Sequence, residues 1–154
     1  MSIDYFLFGS SEDFSAIDLP RLAAIEGVAL DDEGCLSVEG LVGTLCRPMD
    51  SSHREIMLSE YGPYGQDYNW FLMGQVDREV CSNELRYRLS RCAATLISFR
   101  PVSPLALMCR AESIYILNTP RELFVSPICI DDQEAIPKLL GRPYTKMHIE
   151  PPYS

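Results

Sequence analysis

Two periods run through the hydrophobic and polar positions of this chain, one of about two residues and one of about 3.6, and each marks a kind of element. Ile3 to Phe8 (IDYFLF) concentrates aromatic and β-forming residues and stops at Gly9, which predicts an N-terminal strand. After a polar stretch, DLPRLAAIEG predicts a short helix: Asp18 can cap it, Pro20 is tolerated in its first turn, and Gly27 can close it in the left-handed conformation. Val28 to Leu30 and Cys35 to Val38 flank Asp31, Asp32, Glu33 and Gly34, which have the chemistry of a hairpin turn. Leu41 to Cys46 predicts a further strand ahead of Pro48. Glu55 to Ser59 and Asn69 to Val76 are two more strand-like runs, read as a hairpin across a connection longer than turning requires.

The clearest helical signal is DREVCSNELRYRLSRCAATLISF, residues 77–99. Cys81, Leu85, Leu89, Cys92 and Leu96 recur at steps of four, four, three and four, and Val80, Ala93 and Ile97 widen that stripe. Asp77, Glu79 and Glu84 lie in the early turns, as the helix dipole favours, while Arg86, Arg88 and Arg91 fall off the apolar stripe. Arg100 and Pro101 end the helix. Beyond it, Leu105 to Cys109 and Ser113 to Leu117 predict a hairpin. Thr119 and Glu122 have capping-box spacing, which either starts one helical turn or precedes a strand from Leu123 to Ile130. Asp131 and Asp132 cap a second short helix through Leu140, and the Pro-rich stretch from Arg142 to Ser154 predicts an extended tail.

Strands in pairs, without regular βαβ alternation, predict an α+β fold: a largely antiparallel sheet of about six strands, one principal amphipathic helix over about 77–99 and two short helices. No repeat, low-complexity segment or linker divides the chain, so residues 1–154 are read as one domain.

Composition changes that picture chiefly through charge. With 154 residues, 47% of them hydrophobic and 23% charged, the chain can bury a core of its own. Its formal net charge is −9, and it is unevenly placed: residues 1–67 hold thirteen carboxylates against Arg21, Arg47 and Arg54, whereas residues 68–154 are close to neutral. Such a field repels nucleic acid and anionic membranes and steers a basic partner inward. No apolar run approaches the length of a membrane span, and MSIDYFLFGSSED lacks the basic start of a secretory signal, so a cytoplasmic protein is expected.

Candidate chemistry is thin. The six cysteines at 35, 46, 81, 92, 109 and 129 form no CxxC pair and sit mostly among apolar neighbours, so they are read as reduced, buried hydrophobes, with disulfides, which their even number allows, as the alternative. His53, in MDSSHREI, has serines and carboxylates beside it along the chain, but a catalytic triad needs convergence in space. His148 lies in the Pro-rich tail. Gly62 and Gly65 belong to no phosphate loop, since the Lys and Ser/Thr of a P-loop are missing. Asp31, Asp32 and Glu33 match no EF-hand, and the arginines of 77–99 are too diluted by acids to form a nucleic-acid face. No catalytic residue, cofactor or metal is therefore expected. The alternative enzyme reading is a small cysteine-dependent one, using Cys46 or Cys35 with His53.

What remains is recognition. Ser59 to Phe71 reads SEYGPYGQDYNWF, five aromatic residues around two glycines and a proline, with Glu60 and Asp67 as its only charges. Tyr and Trp present large, rigid contact area at small entropic cost and dominate interface hot spots. Trp70 and Phe71 are expected to begin the next strand, which leaves Tyr61, Tyr64 and Tyr68 as surface candidates. An acidic chain of this size, with this acidic–aromatic stretch, six unpaired cysteines and no active-site motif, resembles bacterial toxin-immunity proteins at the level of the class. The resemblance implies an inhibitor that occludes a cognate toxin with a basic surface. Its binding residues would be Glu60, Tyr61, Tyr64, Asp67, Tyr68 and Trp70, with Asp31, Asp32 and Glu33. A module that self-associates as a homodimer through the aromatic stretch is the other non-enzymatic reading.

Overall fold

Six residues rich in β-forming side chains, Asp4–Gly9, make strand β1, which lies inside the sheet with partners on both edges. The computed structural model describes residues 3–9, 19–30, 36–48, 50–52, 55, 70–77, 79, 82–99, 101–109, 112, 114–127 and 143–146. Among these, β1 is followed by helix α1 (Leu19–Leu22), β2 (Val28–Leu30), β3 (Leu36–Val38), β4 (Leu41–Pro48) and β5 (Trp70–Val76). Helix α2 (Ser82–Phe99) comes next, then β6 (Leu105–Cys109), β7 (Ile114–Asn118), β8 (Leu123–Val125) and β9 (Thr145–Lys146). Seven strands build one sheet in the order β4-β5-β1-β6-β7-β8-β9, and β2 pairs with β3 as a separate hairpin. Every junction is antiparallel except the last, where β9 runs parallel to β8. The fold is α+β, with a mostly antiparallel sheet and one long helix.

At the β4 end of the sheet the sequence suits an outer strand. The register shifts between Val42 and Leu45, where Gly43 takes φ +63°, a conformation that accommodates a bulge. Pro48, which cannot donate to a ladder, closes the strand opposite Trp70.

Both faces of the sheet are apolar. On one, Tyr5, Leu7, Leu72, Leu107, Ile116 and Val125 pack with Leu85, Leu89, Cys92, Ala93, Leu96 and Ile97 of α2, buried as their spacing predicts. Leu22 of α1, Ile25 of the turn after it, and Val28, Leu36 and Val38 of the β2–β3 hairpin join the same core. On the other face, Phe8, Ala106, Met108, Tyr115 and Leu117 form a second buried cluster, and the Phe6 and Phe8 rings stack 5.7 Å apart. Register makes this division: Phe6 lies opposite Met108 and Met108 opposite Tyr115, while Leu7 lies opposite Leu107 and Leu107 opposite Ile116. β6 and β7 are consequently buried at every position. A fully buried Leu, Ile or Phe contributes about 1.5–3 kcal/mol, so such a strand gains at each residue what a half-exposed one gains at alternate residues. Asn118 closes β7, its Nδ2 donating to the carbonyls of Pro101 and Ser103 at 2.8 Å each, which ties down the turn after α2.

Local chemistry explains where the structure departs from expectation. α2 begins at Ser82 rather than Asp77, because Asp77 Oδ1 accepts the Glu79 N–H at 3.0 Å in a turn that competes with the helix. The hairpin expected between Glu55–Ser59 and Asn69–Val76 is not available to β5, whose two edges β4 and β1 occupy; Glu55 is helical, and residues 56–59 and 69 lie outside the described residues. β8 stops at Val125, short of Ile130. There the Tyr115 N–H donates to Ser126 Oγ at 3.0 Å, and Pro127 has no N–H to offer. Thr119 starts no helical turn. Its Oγ1 accepts the N–H groups of Arg121 at 3.3 Å and Glu122 at 2.9 Å, which makes a cap-like contact inside the β7–β8 connection.

Arg86, expected away from the core, is only 7% exposed, and its Nη2 donates to Asn83 Oδ1 at 2.9 Å. Among the described residues the sheet has seven strands where the sequence predicts about six, and one of them is β9, from the stretch read as a tail. Of the two short helices, the first contracts to Leu19–Leu22, and the second, over 131–140, lies outside the described residues.

Candidate functional site

Three strand ends meet at one end of the sheet. Trp70, the first residue of β5, lies opposite Pro48, the last of β4, and opposite Gly9, the last of β1. β1 ends at Gly9, β4 ends at Pro48 and β5 starts at Trp70, all at neighbouring positions. Residues 10–18 contain Glu12, Asp13 and Asp18 and no base, and residues 49–69 contain Asp50, Glu55, Glu60 and Asp67 against Arg54. Topology thus roots two acidic segments side by side, and the second includes Tyr61, Tyr64 and Tyr68. Of the residues expected to meet a partner, Trp70 belongs to β5. Glu60, Tyr61, Tyr64, Asp67, Tyr68, Asp31, Asp32 and Glu33 lie outside the described residues.

A second place, which periodicity does not reveal, is where α1, the β2–β3 hairpin and α2 converge. Arg88 Nε donates to the Glu26 carbonyl at 3.0 Å, Nη1 donates to the Glu39 carbonyl, and Nη2 lies 4.0 Å from Glu39 Oε2. The planar fork of arginine suits such a set of oxygens. Gly27 sits against it at φ +82°, where an added Cβ would lie 2.2 Å from Arg88 Nε. The positive φ favours glycine there, and any larger residue would also displace the guanidinium from its place against the turn. The one sequence signal was Gly27 as a helix stop, which pointed to the turn and not to the contact.

Beside this clamp opens a cleft of about 250 Å³ lined by Ile25, Glu26, Glu84, Tyr87, Arg88 and Arg91. The Arg91 guanidinium lies over the Tyr87 ring, 5.5 Å from its centroid, a modest cation–π contact. The cleft combines two signs of charge with an aromatic wall, a setting for polar recognition.

The cysteines described in full are poorly suited to nucleophilic catalysis. Cys92 and Cys109 are completely buried, and burial pushes the Cys92 thiol up to about 12 against the opposing pull of Arg91 and Arg88. Such a thiol stays protonated at neutral pH. The backbone of Cys46 lies in β4 opposite Leu72, while Cys35 and His53 of the alternative enzyme reading lie outside the described residues. Among the described residues no group of three His, Cys, Asp or Glu side chains could hold a metal ion, and no helix is long and apolar enough to cross a membrane. Comparison with protein-family models, with curated proteins and with solved structures finds no match to this chain.

Proposed function

We propose that this chain is an inhibitor of the toxin-immunity kind, which binds a cognate toxin with a basic surface in the cytoplasm and blocks it by occlusion rather than by chemistry of its own. The observation that carries the reading is the common root of residues 10–18 and 49–69 on adjacent strands, two segments that hold seven carboxylates and the three tyrosines. Acidic side chains raise the rate of encounter with a basic surface, and desolvated aromatic rings then slow dissociation. β1 and β5 are each paired on both edges, so the roots of these segments are fixed before any partner arrives. Such preorganisation lowers the entropic cost of association.

The test is co-expression with the product of the neighbouring gene, affinity capture of this chain, and titration of the captured protein. Retention of a basic toxin is expected, with Tyr64→Ala and Asp67→Lys each weakening its affinity roughly tenfold or more. If both substitutions leave the affinity unchanged, the acidic–aromatic segment is not the binding surface.

A further inference from the structure

The cleft beside the Arg88 clamp holds charges that no other described residue pairs with. Glu84, Tyr87, Arg88 and Arg91 follow one another at i, i+3, i+4 and i+7, one stripe along α2. At that spacing Glu84 and Arg88 would pair in an isolated helix. Here Arg88 is drawn instead to the carbonyls of Glu26 and Glu39 and to the Glu39 carboxylate. Among the described residues neither Glu84, Glu26 nor Arg91 has an ion-pair partner. The stripe therefore presents a carboxylate, then a phenol ring, then a guanidinium. Glu26 adds a second carboxylate, and the buried Ile25 adds apolar surface. Seven residues separate Glu84 from Arg91 by about 10 Å along the helix axis. Arg91 reaches back over Tyr87, which shortens the distance between the opposite charges.

We propose that this cleft binds an elongated zwitterion, a ligand whose ammonium and carboxylate groups are joined by an apolar stem of roughly five carbons, a length matched to the helix rise. The ammonium pairs with Glu84 and Glu26, the stem lies along Tyr87 and Ile25, and the carboxylate meets the Arg91 guanidinium. A cleft of about 250 Å³ has room for such a chain. Glycine is too short to reach both charges, and a ligand with only one charged end leaves half of the site unpaired. Free ω-amino acids have this chemistry, and so does a lysine at the C-terminus of a polypeptide.

The experiment is an NMR titration of the full chain with 6-aminohexanoate, glycine, hexanoate and 1-aminohexane at one ionic strength. Saturable binding of 6-aminohexanoate is expected, with the Tyr87 ring resonances perturbed and the other three probes weaker by roughly tenfold or more. Glu84→Gln and Arg91→Gln should each weaken binding roughly fivefold or more. Both substitutions leave the Arg88 bonds to Glu26 and Glu39 in place, and circular dichroism verifies the fold of each variant. Nα-acetyl-lysine compared with its amide identifies the source. Binding of the free acid as tight as that of 6-aminohexanoate supports the proposal with a C-terminal lysine as ligand, and its rejection beside tight 6-aminohexanoate binding supports it with a free, unbranched amino acid. The proposal is overturned if 6-aminohexanoate shows no saturable binding, if hexanoate or 1-aminohexane binds equally well, or if both Gln variants bind as the wild type does.

Discussion

A guanidinium resting on a glycine is the most exacting single contact among the described residues. Alanine at position 27 would have to hold φ near +82° with its Cβ in the space of Arg88, so the arginine would swing away from Glu26 and Glu39. Gly27→Ala and Arg88→Ala are each expected to destabilise the protein by about 2 kcal/mol in urea unfolding. The double variant should lose little more than either, because both break the same contact. Fully additive losses would show that the two residues act separately. Cys92 supplies a prediction in pH. Its thiol is raised from 9.0 to about 12, so the folded protein keeps a proton that the unfolded chain releases above pH 9. The contribution is complete below that pH and is lost as pH rises toward 12, at about 1.4 kcal/mol per unit. The stability of the wild type minus that of Cys92→Ala should fall above pH 9. A flat difference would contradict a buried neutral thiol. At this scale the sequence reveals only what recurs: Leu85, Leu89 and Cys92 show themselves by spacing. Arg88 reaches carbonyls 62 and 49 residues away along the chain, and no local pattern encodes that.

Among the elements, β6 and β7 set the character of the sheet. Ile116 and Leu117 point to opposite faces, and both are buried, one in the core under α2 and the other in the Phe8 cluster. Ile116→Ala and Leu117→Ala are each expected to cost about 2–5 kcal/mol in chemical denaturation. A Leu117→Ala loss below about 0.5 kcal/mol would mean that the second face is not core. The β7–β8 connection depends on Thr119 Oγ1, so Thr119→Ala should lose about 1 kcal/mol while Thr119→Ser stays close to wild type. Hairpins closed by a short connection, β2–β3 and β6–β7, were legible because local turn chemistry and paired apolar runs suffice to identify them. The insertion of β1 between β5 and β6 was not, since pairing between distant segments leaves no periodic trace. The same limit produced the erroneous hairpin of 55–59 with 69–76: the apolar runs gave no sign that β4 would take the edge of β5.

Across the whole molecule, charge and topology reinforce each other. The carboxylate excess of residues 1–67 was visible in the sequence, but the neighbouring strand ends that flank two of its segments were not: the pairing of Trp70 with both Gly9 and Pro48 sets those ends side by side. The α+β class followed from the absence of βαβ alternation, whereas the surface proposed for recognition is legible only as a composition, five aromatic residues beside two acids. If occlusion of a basic toxin is the function, association should respond to charge and dissociation to the aromatic rings. The most direct measurement is the pair of rate constants for binding the co-purified toxin, taken by surface plasmon resonance at low and high salt. The expected result is association that slows as salt rises, an Asp67→Lys variant that associates roughly tenfold more slowly, and a Tyr64→Ala variant that dissociates roughly tenfold faster. Association indifferent to salt, with both variants keeping wild-type rates, would contradict it.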